Sequence, residues 1–220
     1  MKAMILAAGR GERMRPLTDK IPKPLLKVHG KSLIVWHIER LAYLGFSEII
    51  INIEYLGDMI EKSLGDGSQW GVNLIYSDER QTGALESAGG IANALPLIQN
   101  ETFLVVNGDI WCDYEFETNF DLRGDLAHLI LVPNPKHNQS GDFALRKNRV
   151  SNDTKGRYTF SGIGYYSAKL FEETKNKKAP LAPLLREAAN NGKVSGLFYD
   201  GRWHDIGTPQ RLNEVNSTSV

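Results

Sequence analysis

The sequence predicts an α/β fold: a doubly wound, mostly parallel sheet with a small antiparallel part. Three observations lead there. Strand-like and helix-like stretches alternate from the first residues, which is the order of βαβ units. The early strands are continuous apolar runs, as expected where both faces of a sheet are covered by helices. Beyond about residue 110 the pattern turns to shorter, more polar, alternating stretches. The arrangement is Rossmann-like.

Each element follows from its own residues. "AMILAA" reads as a strand buried on both faces. "SLIVWHIERLAYLG" has apolar residues at helical spacing, with Ser32 as cap and Gly45 as stop. "SEIIINI" is the next strand, "LGDMIEKSLGDG" a short helix closed by glycines, and "VNLIYS" a strand. "SAGGIANALPLI" predicts a helix ending near Pro96, and "TFLVVNGD" a fourth buried strand. "LAHLILV" is strand-like, and "DFALRKNRV" and "RYTFSGIGYYS" predict short, more exposed antiparallel strands. "LAPLLREAANNG" is a helix stopped by Gly192, "VSGLFY" a strand, and "TPQRLNEVN" a terminal helix with Thr208 as cap and Pro209 in its first turn. No linker, repeat or low-complexity segment divides residues 1–220, so one domain is expected.

Composition narrows the function classes. Lys plus Arg and Asp plus Glu balance at 26 each, so no global field favours nucleic acid or an anionic membrane. The single cysteine, Cys112, excludes an intramolecular disulfide and is too few for a cysteine-built metal site. The opening "MKAMILAAG" lacks a small-residue cleavage site, and no apolar run approaches the roughly 20 residues of a membrane span. A cytoplasmic protein without membrane or nucleic-acid partners is expected, either a monomer or a homodimer.

The chemistry is concentrated in "LAAGRGERMRPLTDKIPKPLLKV". It is neither a P-loop, which needs Gly-Lys-Ser/Thr, nor the GxGxxG fingerprint, whose third glycine would fall at Met14. The physics is shared: Gly9 and Gly11 let backbone N–H groups approach phosphate oxygens, Arg13 offers a planar fork, and Lys23 is a point charge on a backbone stiffened by Pro22 and Pro24. Phosphate chemistry calls for a hard cation on carboxylates at strand ends. Asp109 in "FLVVNGDIWCDY" and Asp205 in "RWHDIGTPQRL" stand at such places.

The ordered set of Gly-x-Gly-x-Arg, Pro-Lys-Pro, Asn-Gly-Asp and Trp-x-Asp-x-Gly-Thr resembles the signature of the sugar-1-phosphate nucleotidyltransferases. The resemblance implies that a nucleoside triphosphate and a sugar 1-phosphate are the substrates, with Mg²⁺ as cofactor on Asp109 and Asp205. It implies that Gly9, Gly11, Glu12 and Arg13 wrap the triphosphate, that Arg13 and Lys23 are the catalytic cations, and that Asn107 touches the nucleotide. The glycine-rich turn "QTGALESAGG" would lie against the base, through Glu86, Gly89 and Gly90, and Asp142 and Gly162 would face the sugar. Residues 1–110 would be the nucleotide-binding part and 111–220 the sugar-binding part. Asp113 reads as an exposed loop carboxylate, Cys112 as a packed thiol and His204 as a packing residue.

One departure stands out. The Glu-Lys-Pro motif of many relatives, whose lysine binds the sugar phosphate, is absent from "RVSNDTKGRYTF", where Lys155 and Arg157 are the available cations. Within the family the motif combination is most similar to enzymes that pass UMP from UTP to N-acetylmuramate 1-phosphate in cell-wall recycling. That acceptor's lactyl carboxylate would call for a cation, with Arg146, Arg157 and Arg202 all open. Other sugar 1-phosphates, phosphocholine with a cytidine nucleotide, a non-catalytic nucleotide-sugar sensor and a glycosyltransferase are the competing readings.

Overall fold

The computed structural model describes residues 1–99, 101–175 and 177–218. The first half runs β1 (Ala3–Leu6), the ribbon strands β2 (Lys27–Val28) and β3 (Lys31–Ser32), α1 (Leu33–Tyr43), β4 (Glu48–Ile53), α2 (Gly57–Leu64) and β5 (Asn73–Asp78). Next come α3 (Glu86–Ile98), β6 (Thr102–Asn107) and β7 (Ile110–Cys112). The second half runs β8 (Ala127–Val132), β9 (Phe143–Arg146), β10 (Arg149–Ser151), β11 (Arg157–Ser167), α4 (Leu181–Asn190), β12 (Val194–Phe198), β13 (Trp203–Asp205) and α5 (Pro209–Ser217).

The main sheet has the order β5-β4-β1-β6-β11-β8-β12-β10-β9. Its first four strands are all parallel. β11 then runs antiparallel to both β6 and β8, and β12 lies parallel to β8. The β9–β10 hairpin adds on through β12, and β9 also meets the start of β11, so this part of the sheet turns back on itself. The sheet is therefore mixed, and parallel where the early apolar runs lie.

Side-chain alternation explains why those runs are apolar throughout. Ala3, Ile5, Ile49, Ile51 and Ile53 join one core with α1 and α2, whereas Met4 and Ile50 join the other with α3 and α4. The terminal α5 packs Leu212 and Val215 on Trp111 and Met14, which holds the end of the chain beside the first loop.

Two expectations change. α3 continues past Pro96 to Ile98, which is fully buried, so packing of the last turn outweighs the hydrogen bond that Pro96 cannot make. β11 is eleven residues long and buried between β6 and β8, where a short, exposed strand was expected. Its polar residues misled the pattern, but Ser161 is satisfied inside the sheet by donating to Ile130 O at 2.7 Å.

Candidate functional site

A cleft of about 460 Å³ opens at the carboxyl ends of β1, β4, β5 and β6. β1 has β4 on one side and β6 on the other, with the chain crossing over between them. This is the switch point where open α/β sheets receive ligands. Gly9, Gly11, Glu12, Arg13 and Lys23 form one wall, and Asn107, Gly108 and Asp109 the opposite one.

The first wall is a packed loop. Gly11 has φ 63°, and its carbonyl accepts from Met14 N at 2.8 Å and from Thr18 Oγ1 at 2.9 Å. A Cβ there would lie 3.0 Å from Thr18 and 3.1 Å from Lys23, so glycine is required twice over. Gly9, by contrast, has nothing within 4 Å of where a Cβ would stand. Glu12 and Arg13 are exposed on the rim. Lys23 is buried within its short helical turn, and its Nζ donates to Asp109 Oδ2 at 2.6 Å. The first-loop cation and the strand-end carboxylate, 86 residues apart, thus meet as an ion pair.

The second wall explains the Asn-Gly-Asp lettering. A Cβ on Gly108 would stand 2.6 Å from Leu6 O, so only glycine lets β6 close on β1 here. Asp109 is anchored from behind: its carbonyl accepts from Ile206 N at 2.9 Å, and His37 Nε2 lies 2.9 Å from Ile110 O. β13 pairs with β7 so that Asp205 faces Ile110, the residue that follows Asp109. Asp205 Oδ2 accepts from Arg211 Nη1 at 2.6 Å and lies 3.1 Å from His137 Nε2. Asp205 Oδ1 is buried and has no hydrogen-bond partner among the described residues.

That orphaned oxygen, beside a half-exposed Asp109, is the observation that bears on a cation. A buried carboxylate oxygen without a donor is costly, and two hard oxygen ligands suit Mg²⁺, which takes the rest from phosphates and water. Among the described residues no three of His, Cys, Asp and Glu converge. The residues present therefore fit a divalent cation shared with substrate phosphates.

A buried network that sequence reading missed joins the two halves of the cleft. Ala7 N donates to Asn52 Oδ1 at 2.8 Å, Asn52 Nδ2 to Glu79 Oε1 at 2.7 Å, and Leu85 N to Glu79 Oε2 at 3.0 Å. Burial pushes the Glu79 carboxyl above the usual carboxylate range. Asn52 interrupting the apolar run "IIINI" was the available signal. Gly90 makes room for this pair, since its Cβ would lie 2.7 Å from Glu79 Oε1. Gly89 is turned away from the cleft: its N–H donates to Ala179 O at 3.1 Å, and a Cβ would strike Lys177 O. Ala84, Glu86 and Ser87 line the cleft at this turn instead. Glu86 has φ 61° at the start of α3 and lies 3.7 Å from Lys178.

In the second half of the chain, Asp142 lines neither hollow: its Oδ2 is engaged by Phe160 N at 2.8 Å and Asn138 Nδ2 at 3.1 Å, which ties the β8–β9 loop to β11. Gly162 has φ 82°, and a Cβ there would press on Asn107 Nδ2 at 2.7 Å, so this glycine is what lets Asn107 hold its place in the cleft. A second hollow of about 740 Å³ is lined by Asn134, Lys136, His137, Trp203, Asp205 and Arg211. Of the residues set aside, Cys112 and His204 pack as expected, whereas Asp113 is a half-buried, paired carboxylate and not the exposed one expected. Asp113 is held by Tyr199 and by Arg202 at 3.0 Å, burial raises the Cys112 thiol to about 11, and burial lowers the pKa of His204, which packs on Trp111.

Comparison with known proteins adds lineage to geometry. Residues 2–143 match the family described as nucleotidyl transferase. A Neisseria meningitidis N-acetylmuramate alpha-1-phosphate uridylyltransferase is 51% identical, over 99% of this chain and 97% of its own. A Caulobacter vibrioides protein of the same name is 30% identical over 94% and 92%. Among solved structures, a Bacillus anthracis protein crystallised with a sucrose superposes with TM-score 0.86 at 22% identity, covering 99% of this chain and 94% of that one. An inositol-1-phosphate CTP transferase from T. maritima gives TM-score 0.77 at 18% identity, covering 100% and 97%. With a glycine loop and a Lys–Asp pair in one cleft, and relatives that match from end to end, this chain belongs to the nucleotidyl transferase family.

Proposed function

We propose that this chain transfers UMP from UTP to N-acetylmuramate 1-phosphate, giving UDP-N-acetylmuramate and pyrophosphate, as a cytoplasmic step of cell-wall recycling. The observation that carries the substrate assignment is the 51% identity, over nearly the whole of both chains, to a uridylyltransferase of that name. The cleft supports the reaction class independently.

The reaction is an in-line displacement in which a sugar phosphate oxygen attacks the α-phosphorus and pyrophosphate leaves. The acceptor is already an anion at neutral pH, so no general base is needed. The chain's task is then to position two polyanions and neutralise the charge that develops between them. The loop from Gly9 to Arg13 cradles the triphosphate, with the Arg13 fork on the departing pyrophosphate. Lys23, paired with Asp109 at 2.6 Å, is placed to move onto the α-phosphate once nucleotide enters. Asp109 and Asp205 would hold Mg²⁺, which supplies Lewis-acid charge neutralisation to the phosphates when bound. The buried Asn52–Glu79 link keeps the triphosphate loop and the base turn in one register.

The test is pyrophosphate release from purified protein, crossing each nucleoside triphosphate with a panel of sugar 1-phosphates and phosphocholine. Release chiefly with UTP and N-acetylmuramate 1-phosphate is expected. Preference for another pair would overturn the substrates and keep the reaction, whereas no release from protein that binds nucleotide would favour a sensor.

A further inference from the structure

We infer that Arg211 is the cation that grips the phosphate of the incoming acceptor, in place of the lysine that the missing Glu-Lys-Pro motif would have provided. This rests on the proposed transfer to a sugar 1-phosphate. The three arginines weighed from the sequence are already engaged. Arg157 donates to the carbonyls of Asp153 and Asn152, Arg146 pairs with Asp153 on the surface, and Arg202 is bound to Asp113.

Arg211 is placed differently. It sits in the first turn of α5, where its backbone N–H is capped by the Thr208 hydroxyl, and its side chain is only 18% exposed. One arm of the fork is fixed: Nη1 donates to Asp205 Oδ2 at 2.6 Å, and the His137 ring lies 3.0 Å from the same nitrogen. The other arm, Nη2, donates to no group among the described residues. It lies against Gly207, where a Cβ would come within 2.5 Å of it, so glycine at this position leaves space for the guanidinium. Gly207 lines the nucleotide cleft, and Arg211 lines the second hollow. The free arm therefore stands on the boundary between the two.

That boundary is where an acceptor must present its phosphate. The second hollow, of about 740 Å³, has room for the sugar, while the attacking oxygen must reach a phosphorus in the first. A planar guanidinium with one edge anchored on a carboxylate and the other free is preorganised for phosphate oxygens. Lys136, on the rim of the same hollow, adds positive charge along the approach.

The test is steady-state kinetics of Arg211→Gln and Arg211→Lys with each substrate varied in turn. Loss of the charge-assisted contact is expected to raise the KM for the sugar 1-phosphate about tenfold or more in Arg211→Gln, with the KM for the nucleotide within about twofold of wild type. Arg211→Lys keeps a charge for Asp205 but loses the fork, so it should recover the melting temperature while recovering the acceptor KM only in part. The loss in kcat/KM should be equal for N-acetylmuramate 1-phosphate and N-acetylglucosamine 1-phosphate, which lacks the lactyl carboxylate. An effect confined to the carboxylate-bearing acceptor, a parallel rise in both KM values, or an unchanged acceptor KM would each overturn the assignment. Wild-type protein that turns over no sugar 1-phosphate at all would instead overturn the parent reading, and this is read before any variant is made.

Discussion

Replacing Gly90 by alanine probes the link between the first glycine loop and the turn before α3. The new methyl would stand 2.7 Å from Glu79 Oε1 and 2.9 Å from Asn52 Nδ2, inside ordinary contact distance of both. Neither neighbour can yield freely. Glu79 is 1% exposed and Asn52 3%, and each also holds a backbone N–H, of Leu85 and Ala7 respectively. Overpacking a well-filled site costs about 1–3 kcal/mol, and losing a buried hydrogen bond to a charged group about 1.5–3 kcal/mol. Because the two share one displacement they do not add fully, and about 3 kcal/mol is the expected loss of stability. For a chain of this size that corresponds to a fall in Tm of about 6–12 °C. Differential scanning calorimetry, with urea unfolding at fixed temperature, reads it directly. The KM for nucleotide should rise as well, since both ends of the link line the cleft. A Gly90→Ala protein melting within about 2 °C of wild type would refute the reasoning.

Gly9→Ala gives the opposite signature: with nothing within 4 Å of the new methyl, Tm should hold while the KM for triphosphate rises, and a large loss of Tm would count against an open loop at Gly9. His37, whose Nε2 faces Ile110 O behind Asp109, is pushed down to about 4 by burial, so the folded chain keeps it neutral while the unfolded chain takes up a proton below about pH 6.5. The stability it contributes is present above about pH 6.5 and lost as pH falls toward 4, up to about 3 kcal/mol. His37→Gln should therefore flatten the acid limb of urea-unfolding free energies, and an unchanged limb would assign that loss elsewhere. Chelation by EDTA should stop pyrophosphate release and added Mg²⁺ restore it; release that persists would remove the metal role from Asp109 and Asp205.

Much of this was legible in the residues. The apolar runs of β1, β4 and β6 gave the parallel half of the sheet, because a strand covered on both faces has no polar alternative. The Thr208-Pro209 pair gave the start of α5, where the hydroxyl does accept from Arg211 N. The first loop was readable because its glycines, prolines and cations each have a separate physical reason to be there. What stayed hidden depends on contacts between distant segments. No local pattern foretells that Lys23 meets Asp109, or that the backbone N–H of Gly89 is spent on Ala179 O. The same holds for Gly162, whose place is set by Asn107 on the neighbouring β6 and not by its own strand. β11 was misjudged for a related reason: its serine, threonine and glycines look exposed in sequence and are paid for by partners across the sheet.

The central claim is that phosphoryl chemistry occurs where Asp109 faces Lys23, and Asp109→Asn tests it most directly. The substitution keeps shape and removes the charge. Turnover of UTP with N-acetylmuramate 1-phosphate is predicted to fall by about 10²–10³-fold or more, while the protein remains folded and still binds nucleotide. Near-normal turnover by the folded variant would contradict the account and move the chemistry away from this cleft.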